Sequence, residues 1–322
     1  VTLNGDAADS DDAGAPVPVA LPLVGRISED RDIDDIAGVF PTQLADDIEA
    51  ATGLRWDIAS DVMVAGLPAP NAATAHPVPP HASCWKSFIT LRLDPSSLEP
   101  QEYRLTIACS GIDVVGGDTE GVRNGVQTLR QIIRQCAPAL PRLVIADKPA
   151  YKVRGYYLDA TRGRVPTLDW LKTWADRLCL YKYNQLQLYI EHTFMFDDLS
   201  ETWRGTSPLK PADIIAFDEY CARLGIELVP SVSTFGHQYM AMRTRELRHL
   251  GEFPEDADRR YGFVERQRHH TLNITEPESL AFSFKLIDAY MQLFRTRKFN
   301  ICGDETFDLG RGRSKPEAER RG

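Results

Sequence analysis

Between Gln185 and Pro230 the sequence reads QLQLYIEHTFMFDDLSETWRGTSPLKPADIIAFDEYCARLGIELVP. It opens with an apolar run, Gln185–Ile190, of strand length, and closes with another, Ile226–Pro230. Between them Pro211–Leu224 has apolar residues at helical spacing, with a proline in the first turn, where its missing N–H costs nothing. Strand, helix and strand of this kind imply a parallel sheet covered by helices. The first run ends on two polar residues, Glu191 and His192, and that placement recurs along the chain.

The same rhythm extends outward in both directions. Val153–Leu158 is predicted as a strand ending at Asp159, and Thr167–Tyr181 as a helix. Downstream, His237 follows the third strand after a glycine turn, Glu278–Phe294 is predicted as a helix, and Phe299–Cys302 as a fourth strand leading into Asp304 and Glu305. An open doubly wound sheet would carry a Gly-rich phosphate loop after its first strand, and none is present. Polar residues after several successive strands instead build one site on the C-terminal face of a TIM barrel. The stretch from Tyr151 to Gly322 falls short of the ~250 residues of a complete (β/α)8 barrel. The prediction is therefore about the first half of a barrel over 151–322.

Upstream, residues 21–150 read as a small α/β domain. A helix is expected at Thr42–Gly53, strands at Ser87–Leu93, Tyr103–Ser110 and Ile112–Val115, and an amphipathic helix at Glu120–Ala137. Residues 1–20 are small, acidic and proline-containing and read as a loose segment. Leu67–His81 reads as a loop.

Composition narrows the function. The 322 residues include 37 basic and 46 acidic side chains, a net charge of −9. A nucleic-acid binder needs the opposite balance to neutralise phosphates. No stretch approaches the ~20 continuous apolar residues that span a bilayer, so no membrane partner is expected. The six cysteines (Cys84, Cys109, Cys136, Cys179, Cys221 and Cys302) form no CxxC, and most lie in apolar segments. They read as buried thiols in a reducing compartment, which makes the cytoplasm the expected location, with secretion the alternative.

The sharpest chemical signal is Asp304-Glu305. Adjacent carboxylates disfavour each other's ionised form, so one can keep its proton and donate it while the other stays charged. On the residues alone the pair is either such a couple or a solvated loop pair. His192 and His237 stand at the ends of successive strands and are candidate pocket residues, as is Glu191. Metal binding needs three or more ligands in a recognisable spacing, and no such pattern is present, so neither a metal nor another cofactor is expected. Arg154, in VRGYYLDATR, could form a structural ion pair or a fork that grips sugar hydroxyls.

Four segments in order, VRGYYLDATR at Val153–Arg162, LVPSVSTFGH at Leu228–His237, LNITEPES at Leu272–Ser279 and NICGDETFDLG at Asn300–Gly310, resemble glycoside hydrolase family 20, the β-N-acetylhexosaminidases, in their bacterial branch. The Ala-Pro-rich and QTLRQII stretches before residue 150 resemble the small α/β domain that often precedes that barrel. The resemblance implies an exo-acting hydrolase of terminal GlcNAc or GalNAc that retains configuration through the substrate's own 2-acetamido oxygen. By position it makes Glu305 the general acid/base and Asp304 the residue that orients the acetamido N–H. Arg154 would hold the hydroxyls at the far edge of the sugar, with Glu191, His192 and His237 lining the pocket. The second strand departs from the family in giving Tyr189-Ile190-Glu191-His192 where many members have two histidines and then paired aspartates. A non-catalytic, carbohydrate-binding remnant is the second reading. Open strand edges would invite self-association or pairing with a missing C-terminal half.

Overall fold

In the computed structural model the described residues are 2–4, 17–35, 38–59, 88–303 and 305–322. The chain divides into two compact units, residues 1–152 with Cys179–Lys182, and Val153–Leu178 with Tyr183–Gly322. The expected loop at Leu67–His81, and Cys84, lie outside the described residues.

The first unit holds a seven-stranded sheet. Its strands are β1 (Thr2–Asn4), β3 (Arg26–Glu29), β4 (Asp57–Ala59), β5 (Ile89–Leu93), β6 (Tyr103–Ala108), β7 (Gly111–Gly116) and β9 (Leu143–Asp147), in the order β1-β9-β6-β7-β5-β3-β4. Short β2 (Val19–Ala20) and β8 (Ala139–Leu140) pair separately. Helices α1 (Val39–Thr52) and α2 (Thr119–Cys136) supply the other half of the core. Leu44 and Ile48 of α1 meet Val126, Leu129 and Ile133 of α2 above Ile27, Leu91, Leu105 and Val114 of the sheet. Asp118 caps α2 by accepting the Gly121 N–H at 2.7 Å. Gly125 lets α2 approach β7: a Cβ there would stand 2.5 Å from Val114 Cγ1. Two expectations change. Thr2–Asn4, predicted loose, is an edge strand antiparallel to β9. Strands β3, β4 and β9 were not predicted, because runs of three to five residues are too short to show alternation.

The second unit is built on three parallel strands, β10 (Gly155–Asp159), β11 (Gln185–Ile190) and β12 (Glu227–Val232), in register at Leu158, Leu188 and Pro230. Its long helices are α3 (Leu168–Leu180), α5 (Pro211–Arg223) and α8 (Pro277–Met291), with short α4 (Ser200–Trp203), α6 (Tyr239–Met242), α7 (Phe263–Arg266) and α9 (Lys315–Arg321) between and after them. Strand β11 shows how the sheet divides. Leu186, Leu188 and Ile190 are fully buried on the outer, helix-covered face, each adding about 1.5–3 kcal/mol of burial. Gln187 and Tyr189 alternate onto the opposite face, which is polar. There Asn300 Nδ2 donates to Gln187 Oε1 at 3.1 Å, and Tyr157 OH lies 2.8 Å from Ser231 Oγ. The predicted fourth strand is reduced to a single parallel bridge between Ser231 and Asn300. The chain turns there because Asn300 Oδ1 captures the Cys302 N–H at 3.0 Å, while Cys302 itself adopts φ 50°.

Candidate active site

The C-terminal ends of these strands collect the polar side chains. Asp159 ends β10. Its Oδ1 accepts the backbone N–H groups of Thr161 and Arg162 at 2.8 and 3.0 Å, and its Oδ2 takes a guanidinium nitrogen of Arg162 at 2.9 Å. This Asx-type turn folds Arg162 back across the strand ends. Another Arg162 nitrogen lies 3.2 Å from Glu191 Oε1, just beyond β11, and its Nε donates to Gln267 Oε1 at 3.0 Å. Tyr189 OH also donates to Glu191 Oε1, at 2.9 Å. Burial, reinforced by the Glu191 charge, pushes the Tyr189 phenol far above its ordinary range, so it stays a donor.

His192 is largely buried, its Nδ1 3.8 Å from Glu191 Oε2, too far for a hydrogen bond. His192, His237 and Glu191 share one narrow cleft, walled by Phe196, Gln238 and Phe282. His237 is the deepest of these, 5% exposed. Its Nε2 lies 3.0 Å from Glu305 Oε2, yet off the line a hydrogen bond requires, so the buried nitrogen has no aligned partner. Glu305 itself is half-exposed, with 51% of its side chain open to solvent. A carboxyl that faces solvent and rests on a buried imidazole can give a proton to a bound molecule and take one back.

Three non-glycine residues here have left-handed backbone: His237 at φ 54°, Cys302 at φ 50° and Glu305 at φ 49°. Each such residue costs about 1–2 kcal/mol, and the cost is tolerated where side-chain direction matters. Cys302 is buried beneath the acidic segment, its Sγ 3.0 Å from Ser231 Oγ. Asp304 lies outside the described residues. Among those described, no group of three or more His, Cys, Asp or Glu side chains could hold a metal ion. Among the described residues no helix is long and apolar enough to cross a membrane, and the five described cysteines form no disulfide; Cys179, Cys221 and Cys302 are buried as expected, whereas Cys109 and Cys136 are exposed.

The structure brings Glu305 to His237, and Glu191 to His192. Arg154 immediately precedes β10, where its backbone N–H donates to Asn184 Oδ1 at 2.8 Å. Arg162, eight residues after Arg154 in the same motif, lies at the strand ends with Asp159 and Glu191. The sequence carried a signal for it: Arg162 follows Asp159, and the rule that singled out Asp159 as a strand end applies to its neighbour too. Tyr189 and Gln267 were also missed. Tyr189 reads as core, and Gln267 lies in a loop with no periodicity.

Residues 42–148 match the family model for glycosyl hydrolase family 20, domain 2, and residues 151–316 match glycosyl hydrolase family 20, catalytic domain. A beta-hexosaminidase of Akkermansia muciniphila is 30% identical over 169 residues, 44% of this chain and 33% of its own. A lacto-N-biosidase of Bifidobacterium bifidum is 28% identical over 225 residues, 67% of this chain and 19% of its own. The chain thus spans a fifth to a third of the length of these relatives. Among solved structures, the Streptomyces plicatus N-acetyl-beta-hexosaminidase in complex with thio-NAglucal has a TM-score of 0.67 and 22% identity, covering 96% of this chain and 59% of that one. A Flavobacterium johnsoniae chitobiase has a TM-score of 0.71 and 19% identity, covering 94% and 45%. The expected fold, an N-terminal domain followed by part of a TIM barrel, is borne out, as is the resemblance read from the four motifs.

Proposed function

Because the chain belongs to glycosyl hydrolase family 20, we propose that it acts on terminal N-acetylhexosamine residues as an exo-β-N-acetylhexosaminidase, with Glu305 as general acid/base. The observation that carries this reading is the pairing of a half-exposed carboxyl, Glu305, with a buried imidazole, His237, at 3.0 Å on the active face of the sheet. In the first step the acetamido oxygen of the substrate forms a bond to the anomeric carbon as the bond to the leaving oxygen breaks. Glu305 gives its proton to that oxygen. In the second step water attacks the anomeric carbon, Glu305 takes a water proton, and the acetamido oxygen departs. Asp304 is assigned the acetamido N–H by the resemblance of its motif.

The sugar hydroxyls remote from the cleaved bond need a donor fork, and the resemblance of its motif assigns that role to Arg154. Arg162, fixed by Asp159 Oδ2 and Gln267 Oε1, holds Glu191 in place. Glu191 and His192 line the same cleft. The thiols accord with a reducing, cytoplasmic compartment.

The test compares two aryl glycosides that differ only at carbon 2. The 2-acetamido sugar should be cleaved at least about a thousandfold faster than the 2-hydroxy sugar, because only the first carries its nucleophile. Comparable rates on both would sink the substrate-assisted reading.

A further inference from the structure

The segment that follows Glu305 buries little of itself. Among the described residues from Gly303 to Arg313, Asp308 alone is buried, while Glu305 and Phe307 stand open to solvent. A loop held by apolar burial would sink Phe307 and leave the carboxylate outside. Here the carboxylate is sunk, and it is satisfied where it lies. Asp308 Oδ2 accepts the His270 backbone N–H at 2.9 Å, and its Oδ1 lies 2.9 Å from His269 Nδ1. A buried carboxylate gives up water that only directed hydrogen bonds replace, so it fixes position and orientation more narrowly than an apolar contact does.

The partner of Asp308 is also the partner of the loop that carries His237. The His270 carbonyl accepts the Gln238 N–H at 2.9 Å, and the Leu272 N–H donates to the Phe235 carbonyl at 3.1 Å. Residues 270–272 thus grip the chain on both sides of His237 and, through Asp308, the segment behind Glu305. Asp308 is three residues from Glu305, at most about 11 Å of extended chain. A turn closes between them and Gly310, where the Leu309 N–H donates to the Thr306 carbonyl at 3.1 Å. His237, His270 and Glu305 all have left-handed backbone, at φ 54°, 78° and 49°. Such residues persist only where their surroundings over-determine them. The hydrogen bonds of Asp308 and His270 supply that constraint on both sides of the 3.0 Å approach between Glu305 and His237.

We propose that Asp308 is a positioning residue for proton transfer: through His270 it holds Glu305 against His237. Its loss displaces the acid and leaves the binding of the sugar unchanged. The proposal rests on the general-acid reading of Glu305 above. An Asp308 that served folding alone would instead scale the rates on every substrate alike.

The test measures kcat/KM of the full chain on two β-N-acetylglucosaminides. The leaving oxygen of the phenyl glycoside needs a proton, whereas dinitrophenolate departs unaided. Asp308→Ala should lower the phenyl value about ten- to a hundredfold and the dinitrophenyl value by less than about threefold. Asp308→Asn, which can still accept the His270 N–H, should keep the phenyl value within about threefold of the parent. His269→Ala removes one partner of Asp308 at a partly exposed position. It should show the same pattern at about three- to tenfold, and it carries the test if Asp308→Ala does not fold. In a Glu305→Gln background Asp308→Ala should cost less than about twofold more on the phenyl glycoside. Equal losses on both glycosides, no loss on either, or a full further loss beside Glu305→Gln overturns the proposal. Glu305→Gln without effect on the phenyl glycoside defeats the acid reading and this proposal with it. A collapse in Glu305→Gln beside an unaffected Asp308→Ala defeats only the positioning role. The His237 ring signal, followed by NMR of isotope-labelled histidine, decides the placement without turnover. It should move in Asp308→Ala as it does in Glu305→Gln and stay in place in Asp308→Asn. A signal unmoved by Asp308→Ala overturns the proposal; one that moves in a folded chain cleaving neither glycoside defeats the catalytic reading alone.

Discussion

The two units differ in which residues carry left-handed backbone. In the first, the left-handed backbone positions fall on Gly38, Gly53 and Gly111, apart from Gln101 and Lys182. Among its buried charges, Asp47 accepts from Arg130 at 2.7 Å and Arg134 at 2.8 Å between α1 and α2. In the second unit left-handed backbone falls on Gly163, Gly205, Gly225, Gly310 and Gly322 and also on Asp198, Ser207, His237, His270, Cys302 and Glu305. The ring nitrogens His237 Nε2 and His270 Nδ1 are buried with no aligned hydrogen bond. Among the described residues, two non-glycine residues take left-handed backbone in the first unit and six in the second. A unit that carries a site holds side chains in directions that the backbone resists.

The largest expected effect breaks the closed network of the first unit. Asp47→Ala leaves Arg130 buried without its partner and should cost about 3–5 kcal/mol in urea unfolding. The turnover of molecules still folded should be unchanged; a fall in kcat at full folding would contradict the division of labour between the units. Arg162→Ala is the counterpart in the second unit. It should leave the largely buried Glu191 without its cation, and so lower thermal stability as well as kcat/KM. Arg154→Ala should lower kcat/KM by about a hundredfold, close to 3 kcal/mol, with most of the loss in KM.

The smallest effect has opposite signs in the two units. Burial, and then the nearby Asp35 charge, push the Glu29 carboxyl of the first unit up to about 8. The folded chain keeps that proton after the unfolded chain has released its own, so this contribution to stability is present below about pH 4.5 and is lost as pH rises toward 8. In the second unit burial lowers His270 to about 4. Between pH 6.5 and 4 the unfolded chain takes up a proton that the folded chain refuses, so stability falls as pH drops, by on the order of 2–3 kcal/mol. Glu29→Gln should flatten the alkaline slope of melting temperature against pH, and His270→Asn the acid slope. Exchange of those two outcomes would reverse the comparison.

What the sequence made legible follows the same division. The helices and the long strands of both units were readable because burial on one face imposes a period, as in Gln185–Ile190 and Glu120–Ala137. The fourth barrel strand was not, because its end is decided by a side chain, Asn300 Oδ1, competing for a backbone N–H. The candidate site was readable where a polar residue ends an apolar run, which gave Glu191, His192, His237 and Glu305. Arg162 was passed over, because the turn at Asp159 that sets Arg162 at the strand ends exists only in the fold. Gln267 carried no signal, since its hydrogen bond to Arg162 spans 105 residues of chain and exists only in the fold.

The central claim is that Glu305, resting on His237, transfers the proton. Its most direct test is hydrolysis of an aryl β-N-acetylglucosaminide by this chain and by Glu305→Gln at matched thermal stability. The variant should lose about a hundred- to ten-thousandfold in kcat. A variant that retains activity within a few-fold, or a folded parent chain with none to lose, would contradict the account.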